Sequence, residues 1–488
     1  MNIRNEKNTK GITLVALVVT IIVLLILAGI TINTLFSDNG IIKKAQEAAN
    51  KMNQAQQDDL QGLQNLADEL ANYMDGSEQN PTPPSSSDGS FSEEKGVNTP
   101  FLGEGMTPIK WDETANSGAG DWVNTTGNDK NWYDYTTTAK KWANAKTSDG
   151  SMWVWIPRYA YQIASNYHTN STTGGTINIK FLKDATNTAA DGTSSWDNMS
   201  GQEKWNIHPA FNYGQEVSGI WVAKFEASHT GCTTDVSTGE NNTNVTTLTL
   251  QVKPGVTSWR NITVGNIYTV CSNYNPSLNS HMIKNIEWGA ATYLAQSAYG
   301  RNSEVWINNS SKFITGSSGN SVSANADIGT TNDYTSSQGV QASTTGNVTG
   351  IYDMSGGAHE RMASYVNNSY VQDVNSIQYN YGQALIASKI NKTKDVYDVD
   401  KSADSNENNY IANRNRYGDA VWEISSSAAG GRDSWYADGS NYPRTNDPFF
   451  TRGGMYNNAT VSGPYYFSWF DSGNAGVNYS FRPVLIIL

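Results

Sequence analysis

The hydrophobic pattern of this chain changes character several times along its length. Ile12 to Phe36 is an uncharged, strongly apolar run preceded by Arg4, Lys7 and Lys10-Gly11. It is long enough to cross a bilayer as a helix, which takes about 20 apolar residues. Positive residues before such a run and a large acidic region after it predict a cytoplasmic N-terminus with the bulk of the chain outside. From Ile41 to about Tyr73 the chain turns polar, and Leu60, Leu63, Leu66 (or Ala67) and Leu70 recur at a helical period. This predicts a solvated helical stalk. The stretch Asn80-Pro-Thr-Pro-Pro-Ser-Ser-Ser-Asp-Gly-Ser90 has no apolar period and predicts a linker.

From about Pro100 onward, short aromatic and β-branched segments alternate with Gly/Asn/Ser turns. Residues 152–157, 219–225 and 248–252 predict strands. Two segments predict helices: 136–145, which contains Trp142, and 281–300. The second carries Ile283, Ile286, Ala290, Tyr293 and Leu294 along one face. Long polar stretches (163–200, 300–350, 370–420) separate these elements, and no short repeat is evident. The pattern therefore predicts an α+β chain in which a long N-terminal transmembrane helix precedes a loop-rich domain. The expected divisions are a leader 1–11, a membrane helix 12–36, a helical stalk 37–75, a linker 76–99 and a ligand-binding domain 100–488.

Composition narrows the function. Net charge is −12, with 33 Lys+Arg against 45 Asp+Glu and no basic patch, so a nucleic-acid partner is not expected. Only 16% of residues are charged, while Gly (43), Tyr (26) and Trp (15) are plentiful. That is the polar, uncharged, aromatic-rich surface of exported binding proteins and antibody paratopes. The two cysteines, Cys232 and Cys271, have no metal-site spacing. They read either as two buried or free thiols or as one disulfide, and an extracytoplasmic location favours the disulfide.

Lys10-Gly11 followed by Ile12-Thr-Leu-Val-Ala-Leu-Val-Val-Thr-Ile resembles a type IV prepilin leader. The resemblance implies a membrane peptidase that cuts after Gly11 and methylates Ile12. It also implies other pilins as partners and membrane insertion through residues 12–36. The family's glutamate at the fifth position after the cut is Ala16 here. Its absence argues against a major filament subunit and for a minor pilin, a tip pilin or a plain anchor.

Gly346-Asn-Val-Thr-Gly-Ile-Tyr-Asp-Met-Ser-Gly-Gly-Ala-His-Glu360 resembles a motif of formylglycine-generating-enzyme-like domains, which belong to the C-type lectin fold. Trp221-Val-Ala-Lys-Phe-Glu226, Ile286-Glu-Trp-Gly-Ala-Ala291, Arg452-Gly-Gly454 and Asn478-Tyr-Ser-Phe-Arg-Pro-Val-Leu485 match that family in the same order. The enzymes bind copper through C-terminal cysteines, and this chain has none after Cys271. Related sulfoxide synthases bind iron through a histidine triad. Here His168, His208, His229, His281 and His359 are scattered, and His359 reads as structural. Catalysis and a bound cofactor are not expected, and nothing in the sequence assigns a structural calcium ion.

What remains is a binding surface. Variable proteins of diversity-generating retroelements, in the same fold family, carry their randomised residues in the C-terminal segment, here 455–479. The resemblance implies an extracellular ligand, protein or glycan. Its contacts would be Tyr456, Asn457, Asn458, Tyr465, Tyr466, Ser468, Trp469, Phe470, Asp471, Asn474, Asn478 and Tyr479, flanked by Trp435, Tyr436, Tyr442 and Phe449. If Tyr465, Tyr466 and Trp469 are surface anchors, alanine there costs binding without unfolding the domain. Two alternatives stand beside this. Aromatic segments of the fold also pack cores, as expected for Phe467 and Phe481. Equally, the large domain could be the assembly cap of a structural minor pilin, membrane-anchored or pilus-associated.

Overall fold

Met-Trp-Val-Trp-Ile-Pro at 152–157 contains no polar side chain, so a strand built from it must be covered on both faces. In the computed structural model it is strand β1 (Met152–Pro157), buried at every residue. Residues 87–240, 245–327, 331–468 and 470–488 are described, within a unit that runs from Pro84 to Leu488. Five further strands organise that unit: β2 (Gly219–Ala223), β3 (His359–Val366), β4 (Phe449–Gly453), β5 (Gly463–Phe467) and β6 (Pro483–Leu485). Three helices accompany them: α1 (Val264–Tyr274), α2 (Asn285–Gln296) and α3 (Ile377–Ala387).

The first large sheet is antiparallel and seven-stranded, in the order His281–Met282, β6, β2, β1, Asn144–Lys146, Thr107–Asp112, Asp121–Asn124. Trp221 lies opposite Trp155 in its centre, with ring centroids 5.2 Å apart. The second is mixed, in the order Asp395–Tyr397, β3, β4, β5, Ser440–Asn441, Ala429–Gly431, and Tyr479–Ser480 also pairs with β3 in parallel. Helix α2 links the layers. Its Trp288 indole N–H donates to the Pro464 carbonyl of β5 (2.7 Å), and its Ala290 carbonyl accepts from the Tyr159 hydroxyl (2.6 Å). The Glu287 carboxylate accepts from the Lys284 N–H (2.8 Å) and so caps the backbone at the helix start.

Several sequence expectations are corrected here. The α+β chain led by a long transmembrane helix gives way to a mostly sheet protein: the described residues form twenty-three short strands and seven α-helices. Among the described residues no helix is long and apolar enough to cross a membrane. The longest, α2, has 12 residues and spans about 18 Å against the ~30 Å of a hydrocarbon core. Residues 12–36, Gly11 and the stalk lie outside the described residues. The expected helix at 136–145 does not form. Asp134 and Lys141 exchange backbone hydrogen bonds (2.7 and 2.8 Å) across a turn, Lys140 has φ +50°, and Asn144–Lys146 joins the first sheet.

Residues 87–99, read as linker from composition, belong to the folded unit. Phe91–Ser92 pairs with Val97–Asn98, and the buried Asn98 amide donates to the Asp184 and Ser218 carbonyls (3.0 and 2.9 Å). The expected disulfide is absent: Cys232 and Cys271 are both free thiols. Cys271 sits on the buried face of α1, while the Cys232 sulfur accepts from the His229 N–H (3.4 Å). Burial pushes both thiols above their ordinary pKa.

Candidate functional site

The aromatic C-terminal segment divides into a buried strand and two exposed arcs. Strand β5 is buried at all five residues because β4 and Ser440–Asn441 pair with its two edges and α2 covers it. Tyr465 donates to the Thr292 carbonyl (3.3 Å) and packs against Trp435 and Tyr436, with centroids 5.2 and 6.1 Å away. Gly463 must be glycine for space, since a Cβ there would lie 2.1 Å from Asp438 Oδ2. That carboxylate accepts from the Tyr465 N–H (3.0 Å), and burial raises its pKa well above the ordinary range.

The two arcs meet at the start of β3. Tyr456 N–H donates to the Gly357 carbonyl (2.9 Å), and His359 N–H donates to the Asn478 carbonyl (2.9 Å). Gly357 holds φ +66°, and the next residue's N–H donates to the buried Glu226 carboxylate (2.8 Å), so this bend is fixed from below. The His359 ring lies between those of Tyr466 (5.4 Å) and Tyr479 (5.7 Å). Burial, aided by the Arg361 charge, lowers its pKa to about 4, so the imidazole is neutral near pH 7. The Tyr479 phenol is pushed up to about 12 by burial and by Asp471.

Three buried arginines support this face from inside. Arg361 forms a two-pronged pair with Asp471 (Nε to Oδ2 3.0 Å, Nη2 to Oδ1 2.8 Å), with both side chains fully buried. It also donates to the Ile262 and Asn474 carbonyls (2.7 and 2.5 Å) and lies 4.4 Å from the Tyr479 ring centroid. Arg260 donates to the Val477 carbonyl (2.7 Å) and stacks on Phe313 at 3.9 Å, and Phe313 meets Tyr456 edge-on at 4.9 Å. Arg482 pairs with Glu360 through both carboxylate oxygens. Burial pushes that carboxyl up to about 7 against the pull of the guanidinium. These three arginines are engaged within the fold, so they are not the groups this face presents.

Of the residues expected to touch ligand, Asn457, Phe470, Asn474 and Asn478 are exposed, and Tyr456 and Tyr479 are half-buried. Phe470 is 47% exposed at φ +51°, with the Arg444 guanidinium 5.3 Å from its ring centroid. The half-buried Asn458 turns back on its own loop, its Oδ1 accepting from the Met455 N–H (2.9 Å). Tyr465, Tyr466, Ser468 and Asp471 are corrected to interior positions, as are Trp435, Tyr442, Phe449 and nearly all of Tyr436. Phe467 and Phe481 are fully buried. Trp469 lies outside the described residues. Sequence reasoning missed Arg260 and Phe313, which join the face from far upstream; no local pattern marks them. Among the described residues no three His, Cys, Asp or Glu side chains converge as a metal site. No protein-family model and no curated protein matches this chain.

Proposed function

We propose that this chain is an adhesin-type recognition protein, displayed outside the cytoplasm, that binds a macromolecular ligand without acting on it chemically. Recognition uses the face formed by Tyr456, Asn457, Phe470, Asn474, Asn478 and Tyr479. The observation that carries this reading is the convergence of both exposed arcs on residues 357–359, while the charged groups beneath them are paired inward. Tyrosine gives large contact area at low entropic cost, and asparagine gives adaptable donors and acceptors. Binding built this way depends only weakly on salt. The prepilin-like Gly11-Ile12 supports display, and the resemblance to retroelement variable proteins supports a segment whose exposed positions vary over a constant β5.

The test is binding of the purified full chain to intact cells and to protein and glycan arrays. The triple variant Tyr456→Ala/Asn457→Ala/Asn478→Ala is expected to lose about 100-fold in affinity at an unchanged melting temperature. Equal binding by the variant would sink the assignment. In the gene, an adenine-directed near-repeat is expected to differ at codons of the two arcs and to spare those of β5.

A further inference from the structure

Helix α1 begins beside the C-terminal loop, where the Val264 N–H donates to the Gly473 carbonyl (3.1 Å). It ends about 16 Å away at a separate cavity of about 350 Å³, toward the small end of the ~300–1,000 Å³ usual for ligand pockets. Leu248, Val270 and Tyr274 supply an apolar wall. The Thr249 hydroxyl and Asn273 amide stand on the exposed rim, and among the described residues the Asn273 amide has no hydrogen-bond partner. Asp149, the one acidic side chain among the described lining residues, is already engaged. Its carboxylate accepts from Thr147 Oγ1 (2.7 Å), Ser151 Oγ (2.7 Å), Ser151 N–H (3.1 Å) and the Tyr274 hydroxyl (3.1 Å).

The lining therefore selects by exclusion as well as by fit. Among the described residues no lysine, arginine or histidine lines the cavity, so an anion finds no counter-charge there. A cation finds a carboxylate whose lone pairs are largely occupied. The complementary ligand is neutral. It has one apolar face for the Tyr274–Leu248 wall and an edge of paired donors and acceptors for the Asn273 amide, which offers both. A pyranose ring has this shape, with axial C–H groups on a face and hydroxyls around the edge. We propose that this cavity is a subsite for a neutral hexopyranose unit, distinct from the C-terminal face.

The test is saturation-transfer NMR and calorimetry on the full chain with the methyl glycosides of glucose, galactose and N-acetylglucosamine. At least one is expected to bind at millimolar concentration, with transfer strongest to the C–H protons of one ring face. Asn273→Ala and Thr249→Ala are each expected to weaken it about tenfold without moving the melting temperature. Tyr456→Ala should leave sugar binding untouched, which separates this site from the C-terminal face. Absence of binding by all three glycosides at millimolar concentration overturns the proposal, as does wild-type affinity in both rim variants.

Discussion

Strand β5 and the arc from Asn474 to Tyr479 sit a few residues apart and draw on the same tyrosine, glycine and asparagine-serine vocabulary, yet they meet opposite fates. Tyr465 and Tyr466 are 2% exposed, paired on both strand edges and stacked on other rings. Asn474, Val477 and Asn478 stand in solvent, with their backbone carbonyls accepting from Arg361, Arg260 and the His359 N–H, and the Asn474 side chain accepting from the nearby Ser472 hydroxyl (3.4 Å). The difference lies in what holds each stretch. A strand with two partners and a helix above it cannot vary a ring without a cavity or a clash. An arc tethered mainly by carbonyl groups leaves exposed side chains such as Val477 and Asn478 free to change, because every residue has a carbonyl, whereas Tyr479 is held by its ring.

Four measurements bear on that contrast. Arg361→Met leaves the buried Asp471 carboxylate without its cation and releases the 470–476 loop. It is expected to cost about 3–5 kcal/mol in urea unfolding and to abolish binding. Tyr465→Ala should cost about 3 kcal/mol; a variant that keeps its stability but loses binding would return Tyr465 to the surface. His359→Phe keeps the ring between Tyr466 and Tyr479 but removes its proton. The native imidazole has a pKa of about 4 against an ordinary 6.5. Between those values the unfolded chain binds the extra proton, so this group's stabilisation is present above pH 6.5 and is lost as pH falls through 4. The variant should therefore gain about 2 kcal/mol on the wild type at pH 5 relative to pH 7. Glu360, pushed up to about 7, works in the opposite sense in both proteins and cancels in the difference. The smallest effect belongs to Tyr456→Ala, expected to shift stability by less than about 1 kcal/mol while weakening ligand binding; a loss as large as that of Tyr465→Ala would erase the distinction between strand and arc.

Legibility followed the locality of the signal. The strand at 152–157 is legible with its observed bounds, because a six-residue run without polar side chains has few other fates. The helix read at 281–300 survives as α2, trimmed at both ends by a short strand and by Ser297. The segment 136–145 failed because its apolar residues belong to a turn and a strand edge, where pairing with β1 outweighs weak helical propensity. Composition misplaced the domain start because the proline-serine run ends before Asn98, whose amide ties the chain to loops 86 and 120 residues ahead. Within the C-terminal segment, the sequence could not separate the half-buried Tyr456 and Tyr479 from the buried Tyr465 and Tyr466.

The sequence by itself determined the covered central strand, the polar uncharged character of the chain and the aromatic-asparagine make-up of its C-terminal segment. These are properties of short windows, settled by side-chain chemistry and spacing. Only the tertiary structure decided which aromatic rings face water and that Cys232 and Cys271 stay apart. It also brought Arg260 and Phe313 beneath an arc more than 140 residues later. Exposure, pairing and charge neutralisation belong to contacts between distant segments, and no local window carries them.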